Sequence, residues 1–261
     1  LRTYDLASPF PEEGYRQLTD RLTEFYFAPT ARSAQALERE SVPAEKIHII
    51  PLGLDTTDFK SVDSVSQSPG GSLTVGYLAR LAPEKGLHQL VDAFLELKQM
   101  PGMEQVHLRI AGWLGEHRRE YAEQQFEKLR LAGLGDHFQY DGEVDRQGKI
   151  DFLDAIDVLS VPTVYEEPKG LFVLESLAAG VPVVQPRHGA FPELLSRTGG
   201  GVLVEPGSPT ALAAGLAGVL SDPDRRKSLG DEGRKTVHES FHAEQMGRET
   251  LEVLSRIAEL S

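Results

Sequence analysis

The stretch LTVGYLARLAPEKGLHQLVDAFLELK, residues 73–98, decides the fold class, because an apolar run passes through a short polar loop into a helical pattern. In the helical part, apolar side chains recur at i, i+3, i+4, i+7 and i+8, and they are Leu87, Leu90, Val91, Phe94 and Leu95. This spacing predicts one apolar stripe along a helix. Pro101 and Gly102 follow as its stop signal.

The same alternation continues toward the C-terminus. The apolar runs VHLRIAG, FQYDG, VLSVPT, VPVV and GVLVEP are separated by helical patterns. Strands that are apolar throughout, joined by helices, are typical of a parallel sheet that is covered on both faces. We therefore predict an α/β fold with a Rossmann-like domain over residues 73–240.

The remaining segments predict a second, smaller unit. The stretch LTEFYFAPTARSAQALERESVPAEKIHIIPLGLD indicates a strand, a helix and a strand, so residues 1–60 are expected to form a partial N-terminal α/β unit. The Gly- and Ser-rich residues 61–72 have the composition of a linker. Residues 241–261 predict a C-terminal helix that packs back toward the N-terminal unit.

Composition excludes several classes of function. The 261 residues carry a net charge of -13, which argues against broad binding to nucleic acid or to anionic lipid. No cysteine is present, so disulfides and thiolate metal sites are excluded. No apolar run approaches the roughly 18 residues of a membrane helix, and no signal-peptide pattern opens the chain. We expect a cytoplasmic protein without a transmembrane segment.

In a parallel α/β sheet, ligands bind at the carboxyl ends of the strands, so the loops there carry the candidate residues. In the first loop, Arg80 and Lys85 lie before a helix that begins near Gly86. Two cations beside free helix N–H groups suit a phosphate or a diphosphate. The alternative is that both are surface charges, with Lys85 paired to Glu84.

The second loop places two glutamates around a helix start. Glu167 precedes a helix that Gly170 and Leu171 begin, and Glu175 lies on its second turn. A carboxylate accepts two hydrogen bonds side by side, which matches the vicinal diol of a ribose or hexose. Alternatively, Glu167 is a charge favoured by the helix dipole and Glu175 an exposed surface residue.

A third loop follows VPVV and contains Arg187, His188 and Glu193. His188 could contact substrate, although a lone loop histidine is more often a surface residue. The dinucleotide, P-loop, nucleophile-elbow and zinc-protease motifs are all missing from the sequence. The histidines do not cluster with carboxylates at ligand spacing, so we expect no metal.

Taken together, these motifs resemble the C-terminal domain of family 4 retaining glycosyltransferases. The resemblance rests on GYLARLAPEKG, LRIAG, YDGEV, residues 156–195 and GGGVLVEPGSPTALAAGL, and it extends from about Lys46 to the end of the chain. It implies the two-domain GT-B fold, a nucleotide-diphosphate sugar as donor, an acceptor of unknown identity, and no metal or other cofactor.

The resemblance also implies roles for individual residues. Arg80 and Lys85 would neutralise the donor diphosphate and help it leave. Glu167 would lie beside the transferred sugar as the first glutamate of an E-x7-E motif, and Glu175 would bind the nucleotide ribose.

Four further positions would contact the donor. Backbone groups of Gly170 and Leu171 would meet the phosphates or the sugar, and Val144 would lie near the base. Lys169 stands where the family usually has an aromatic residue, so it could add a donor contact and leaves the donor's identity open.

The first residues have a different likeness. LRTYDLASPFPEEGYRQLTDRL, together with FAPT, resembles the N-terminal domain of non-hydrolysing UDP-N-acetylglucosamine 2-epimerases. In that match Glu12 aligns with a catalytic carboxylate, whereas Tyr15 replaces the usual asparagine. Because family 4 enzymes hold their acceptor in a full N-terminal domain, we expect that half to be largely absent here.

The leading hypothesis is therefore a retaining glycosyltransferase, or its donor-binding portion, that transfers a hexose-type sugar to an acceptor hydroxyl of a saccharide, lipid or small molecule. A non-catalytic sugar-nucleotide-binding module, an epimerase acting through Glu12 and a purely structural α/β domain are the alternatives.

Overall fold

The computed structural model describes residues 23–59 and 72–260. Its strands are β1 Tyr26–Ala28, β2 Ile47–Ile49, β3 Thr74–Leu78, β4 His107–Ala111, β5 Phe138–Tyr140, β6 Val158–Leu159, β7 Val183–Pro186 and β8 Gly201–Val204. Its α-helices are α1 Ala31–Arg39, α2 Leu87–Leu97, α3 Arg119–Leu131, α4 Arg146–Asp154, α5 Leu171–Ala178, α6 Phe191–Thr198, α7 Pro209–Leu220, α8 Pro223–Ser240 and α9 Ala243–Leu260.

Six of the strands form one parallel sheet in the order β5-β4-β3-β6-β7-β8. Helices α2, α3 and α7 contribute buried side chains to the core on one face, and α4, α5, α6 and α8 to the core on the other. The predicted parallel sheet with two covered faces is thus confirmed. The strand order reverses between β3 and β6, which is the switch point where doubly wound sheets open a crevice.

Helix α2 confirms the apolar stripe that the sequence predicts. Leu87, Leu90, Val91 and Phe94 are fully buried, while Leu95 only packs against the edge of the core. Leu97, one turn beyond Phe94, completes the buried face instead. Burying a leucine side chain contributes about 1.5–3 kcal/mol, so this stripe fixes α2 firmly against the sheet.

Residues 23–59 contain a smaller sheet of two parallel strands, β1 and β2, joined by α1. This matches the strand, helix and strand expected there. Its buried apolar cluster consists of Ala28, Ala34, Leu37 and Val42. The predicted linker, residues 61–72, lies outside the described residues apart from Ser72, so the domain boundaries stay predictions.

The start of α9 lies beside the segment that follows β2. The N–H of Ala243 donates to Leu54 O and the N–H of Leu54 donates to Phe241 O, both at 2.7 Å. Farther along the helix, Leu251 and Leu254 are exposed. None of the helices described combines the length and hydropathy needed to cross a bilayer.

Candidate functional site

The loops after β3 and β6 meet at the switch point of the sheet, and a glycine makes their close approach possible. Gly86 has a φ of 75°, and a Cβ atom there would lie 1.8 Å from Pro162 O. Only a residue without a side chain fits this backbone conformation and this distance. The first and second candidate loops are therefore in direct contact.

Across this contact, Lys85 and Glu167 form a largely buried ion pair. Lys85 Nζ lies 2.6 Å from Glu167 Oε2, and the two side chains are 13% and 7% exposed. The hydroxyl group of Tyr165 accepts a hydrogen bond from Lys85 Nζ at 2.7 Å and donates one to Glu167 Oε2 at 2.5 Å. Three polar groups from two loops thus converge on one point.

The surface alternative for Lys85 is wrong, because its partner is not Glu84. Glu84 faces outward and lies 3.7 Å from Arg80 and 4.0 Å from Arg118. The Arg80 side chain is more than half exposed, while the Arg80 backbone carbonyl accepts a hydrogen bond from the Tyr77 hydroxyl group at 3.1 Å. Arg80 thus occupies the rim of the crevice and Lys85 its floor.

The surroundings of Glu167 keep its carboxyl group ionised. Burial raises its pKa, but the hydrogen bond and charge of Lys85, the Tyr165 hydroxyl group and the N–H of Lys169 act oppositely and hold the pKa below its ordinary value. A lowered pKa stabilises the fold above the ordinary pKa of glutamate, and this contribution is lost as the pH falls through the folded pKa.

Glu167 also fixes the start of α5. Its Oε1 atom accepts hydrogen bonds from the N–H of Lys169 at 3.2 Å and from the N–H of Gly170 at 3.4 Å. The N–H of Gly170, expected to face a ligand, thus points at Glu167, while Leu171 at the first helical position is exposed. Gly170 itself adopts a left-handed conformation with φ 64°.

Glu175, the second glutamate of the motif, lies on α5 and contacts α4. Its Oε1 atom accepts a hydrogen bond from Lys149 Nζ at 2.6 Å, and its side chain is 19% exposed. It is therefore not the free surface residue of the alternative interpretation. A cavity of about 70 Å³ adjoins the pair, lined by Leu54, Asp55, Phe59, Arg146, Lys149, Ile150 and Glu175. Val144 lies in the loop before α4 and packs partly into the core.

The third loop connects the crevice to the N-terminal unit. The N–H of Ala31 at the start of α1 donates to Glu193 Oε2 at 2.8 Å. Arg32 forms an ion pair with Glu166, the neighbour of Glu167. His188 Nε2 donates to Thr163 O at 2.9 Å, so this histidine supports the second loop rather than extending into solvent.

Arg187, the remaining polar residue of that loop, donates from its guanidinium group to Leu203 O at 3.4 Å. Two participants in the site escaped the sequence interpretation, namely Tyr165 and Lys149. Tyr165 stands two residues before Glu167, and this closeness in sequence is the signal that could have identified it. Lys149 carries no sequence signal, since its contact depends on how α4 packs on α5. Among residues 23–59 and 72–260, no three His, Asp or Glu side chains are grouped to hold a metal ion.

Comparison with protein families gives two matches. Residues 58–236 match the family described as glycosyl transferases group 1. Residues 1–67 match a second family, described as UDP-N-acetylglucosamine 2-epimerase. Glu12 and Tyr15 fall within the second match but outside the described residues.

Individual relatives agree with the first match. An uncharacterised glycosyltransferase of Methanocaldococcus jannaschii is 27% identical over 222 residues, covering 82% of this chain and 55% of the relative. A phosphatidyl-myo-inositol mannosyltransferase of Mycobacterium leprae is 28% identical over 209 residues, covering 78% of this chain and 52% of the relative. The chain thus spans about half the length of the curated relatives it matches.

A solved structure confirms the fold. The Anabaena protein HepE, crystallised with UDP and glucose, superposes with a TM-score of 0.82 at 23% identity, covering 92% of this chain and 65% of HepE. The fold is therefore α/β of the GT-B type, and the residues described contain a six-stranded parallel sheet and a smaller sheet of two strands.

Proposed function

Because the chain belongs to the family of glycosyl transferases group 1, we propose that it acts in retaining transfer of a hexose from a nucleotide-diphosphate sugar to an acceptor hydroxyl, as a family 4 enzyme that requires no metal. The observation that carries this proposal is the buried pair of Lys85 and Glu167 at the switch point, beside the start of α5. A cation and a carboxylate side by side suit a ligand whose diphosphate and sugar meet at one bond.

The diphosphate would lie against the first loop. Lys85 on the floor and Arg80 on the rim would bind its oxygens, and their charge would count most when the diphosphate departs and its negative charge is greatest. The acceptor hydroxyl would attack from the face that the diphosphate leaves, so that the configuration of the sugar is retained.

The sugar and the nucleoside would lie along the second loop. Glu167 would accept hydrogen bonds from hydroxyl groups of the transferred hexose, next to the backbone of Gly170 and Leu171. Glu175 would accept from the ribose, Val144 would contact the base, and Lys169 would add a donor contact.

The nature of the donor is supported by what related proteins are said to bind. HepE was crystallised with UDP and glucose, and the Mycobacterium leprae relative is named a mannosyltransferase. Both names fit a nucleotide-activated hexose as the donor of this chain.

Calorimetric titration of the chain with UDP, GDP and ADP sugars should give saturable binding for one nucleotide class. Replacing Glu175 with alanine should weaken that binding by about 10- to 100-fold, because a hydrogen bond to a charged group contributes about 1.5–3 kcal/mol. The matched control is Glu123→Ala, which also removes a glutamate from an ion pair but on the exposed face of α3, with Arg130 at 2.5 Å. Equal affinities for both variants would contradict the assignment of Glu175.

Metal independence has its own test. Transfer of a radiolabelled hexose, measured with excess EDTA, should match transfer without EDTA, because Arg80 and Lys85 supply the positive charge that a divalent cation would otherwise bring to the diphosphate. Loss of transfer with EDTA and its recovery on adding Mg²⁺ would show that the two cations do not suffice.

The match of residues 1–67 supports a second candidate, an epimerase acting through Glu12. Incubation with UDP-N-acetylglucosamine and analysis by chromatography separates the two functions. Formation of UDP-N-acetylmannosamine or 2-acetamidoglucal would favour the epimerase. Binding of a donor without transfer to any acceptor would favour a non-catalytic module.

A further inference from the structure

Tyr165 occupies a position at the candidate site for which the proposed function gives no role. Its hydroxyl group accepts a hydrogen bond from Lys85 Nζ at 2.7 Å and donates one to Glu167 Oε2 at 2.5 Å. Since Lys85 and Glu167 also contact each other at 2.6 Å, the three groups form a closed triangle. Every side of this triangle is a hydrogen bond with at least one ionised partner, the stronger kind.

The ring of Tyr165 contributes as well as its hydroxyl group. Lys85 Nζ lies 5.0 Å from the centroid of the Tyr165 ring and 5.8 Å from that of Phe172. Such distances allow an attraction between the ammonium group and the aromatic face. The Tyr165 backbone is held in turn, because Thr163 Oγ1 donates to Tyr165 O at 3.0 Å.

We propose that Tyr165 is a positioning residue that fixes Lys85 and Glu167 in one geometry before a nucleotide sugar binds. This inference rests on the proposed function and deepens it. Of the three N–H groups of Lys85, two are used by Tyr165 and Glu167 within the described part of the chain, and the third remains for a phosphate oxygen. Glu167, held on Oε2 by the same two groups, cannot rotate away from the sugar.

Charged or titratable groups reach the Glu167 carboxylate from three loops: the loops after β3 and β7, and the loop that carries Glu167 itself. Lys85 comes from the loop after β3, and His188, bonded to Thr163 O, comes from the loop after β7. The loop of Glu167 contributes Tyr165, Lys169 through its N–H, and Glu166, which is paired with Arg32. Removal of the Tyr165 hydroxyl group leaves all the other groups in place. A change in the pKa of Glu167 therefore reports on the Tyr165 hydroxyl group.

The test is the substitution Tyr165→Phe, which removes the hydroxyl group and keeps the ring. Tyr140→Phe is the matched control, because the Tyr140 hydroxyl group donates to Gly112 O at 2.9 Å and touches neither Lys85 nor Glu167. We expect kcat for transfer to fall by about 10- to 100-fold in Tyr165→Phe, with a much smaller change in KM, because the lost hydrogen bonds involve charged groups.

The pH profile gives a readout that a merely structural role would not move. Glu167 acts ionised, and the Tyr165 hydroxyl group stabilises the ionised form, so its loss should raise the pKa of Glu167. The acid limb of kcat/KM should therefore move to higher pH in Tyr165→Phe and stay in place in Tyr140→Phe.

A second measurement does not depend on activity. In protein labelled with ¹³C at the glutamate side chains, the Glu167 carboxyl signal, assigned with Glu167→Gln, is titrated without donor. A higher pKa in Tyr165→Phe than in the original chain supports the inference, and equal pKa values overturn it. If the original chain binds no nucleotide sugar, the proposed function fails, while the NMR result still decides whether Tyr165 sets the state of Glu167.

Discussion

Replacement of Lys85 with alanine should reduce sugar transfer by about 100- to 1000-fold, the loss seen when one preorganised group that stabilises developing charge is removed. Lys85 is the largely buried cation at the switch point, and no second cationic side chain forms an ion pair with Glu167 among the described residues. Arg80 on the rim would still attract the donor, so binding should weaken less than turnover. Initial rates at saturating donor and calorimetric affinities separate the two effects.

Loss of folding must be distinguished from loss of function. Lys85→Ala leaves the buried Glu167 without its ion-pair partner, and breaking a buried pair in this way costs about 3–5 kcal/mol. The double variant Lys85→Met with Glu167→Gln removes both charges and should recover most of the stability but none of the transfer. Thermal unfolding of the single and double variants measures this recovery.

A surface ion pair provides the control for Lys85. Lys128 lies 2.5 Å from Asp92 with a side chain 44% exposed, so Lys128→Ala should cost roughly 0–1 kcal/mol and leave transfer intact. Full activity in a folded Lys85→Ala protein would refute the assignment of Lys85 to the diphosphate.

The sheet and its helices follow from the sequence because their signals are local and repeated. The stripe of α2 places Leu87, Leu90, Val91 and Phe94 on one side of a helix, and a strand that is apolar throughout has only one environment that buries both faces. The single deviation is Leu95, which lies at one margin of the stripe, while Leu97 lies at the other. A small rotation of the helix therefore decides which of the two side chains is buried.

The ion-pair partner of Lys85 could not be predicted from the sequence in the same way. Sequence adjacency favours Glu84, yet residues one apart do not face each other in a helical turn. In the 3₁₀ turn Pro83–Lys85, followed by the left-handed Gly86, Glu84 points outward and Lys85 points toward the second loop. The rule that strand ends converge predicts that the two loops meet, but it does not predict which atoms touch.

Contacts between separate helices are still less accessible to sequence reasoning. The bond of Glu175 to Lys149 depends on the rotation of α5 against α4, and the bond of Glu193 to the N–H of Ala31 joins residues 162 positions apart. Neither the rotation of one helix against another nor a contact between residues far apart in the chain produces a periodic pattern in the sequence. The sequence therefore locates the loops of the candidate site, whereas only the structure shows that two of them also contact the N-terminal unit, through Glu193 and Glu166.

Replacement of Gly86 with alanine should destabilise the chain by about 2–5 kcal/mol, the sum of a left-handed backbone conformation and of overpacking. Gly86 has a φ of 75°, and an added Cβ would lie 1.8 Å from Pro162 O, a backbone atom that cannot rotate aside. Relief of this collision would displace the loop that carries Tyr165 and Glu167 away from Lys85. Transfer should therefore fall together with stability, which denaturant unfolding and initial rates measure.

The chain offers a matched control for the backbone contribution. Gly133 has the same φ of 75°, but an added Cβ would meet nothing within 4 Å. Gly133→Ala should therefore cost only about 1–2 kcal/mol, which is the contribution of the left-handed backbone conformation, and it should leave transfer unchanged. The difference between the two variants measures the contact between the loops after β3 and β6. Equal losses in both would mean that the loops can separate freely, and the candidate site would then not depend on their close approach.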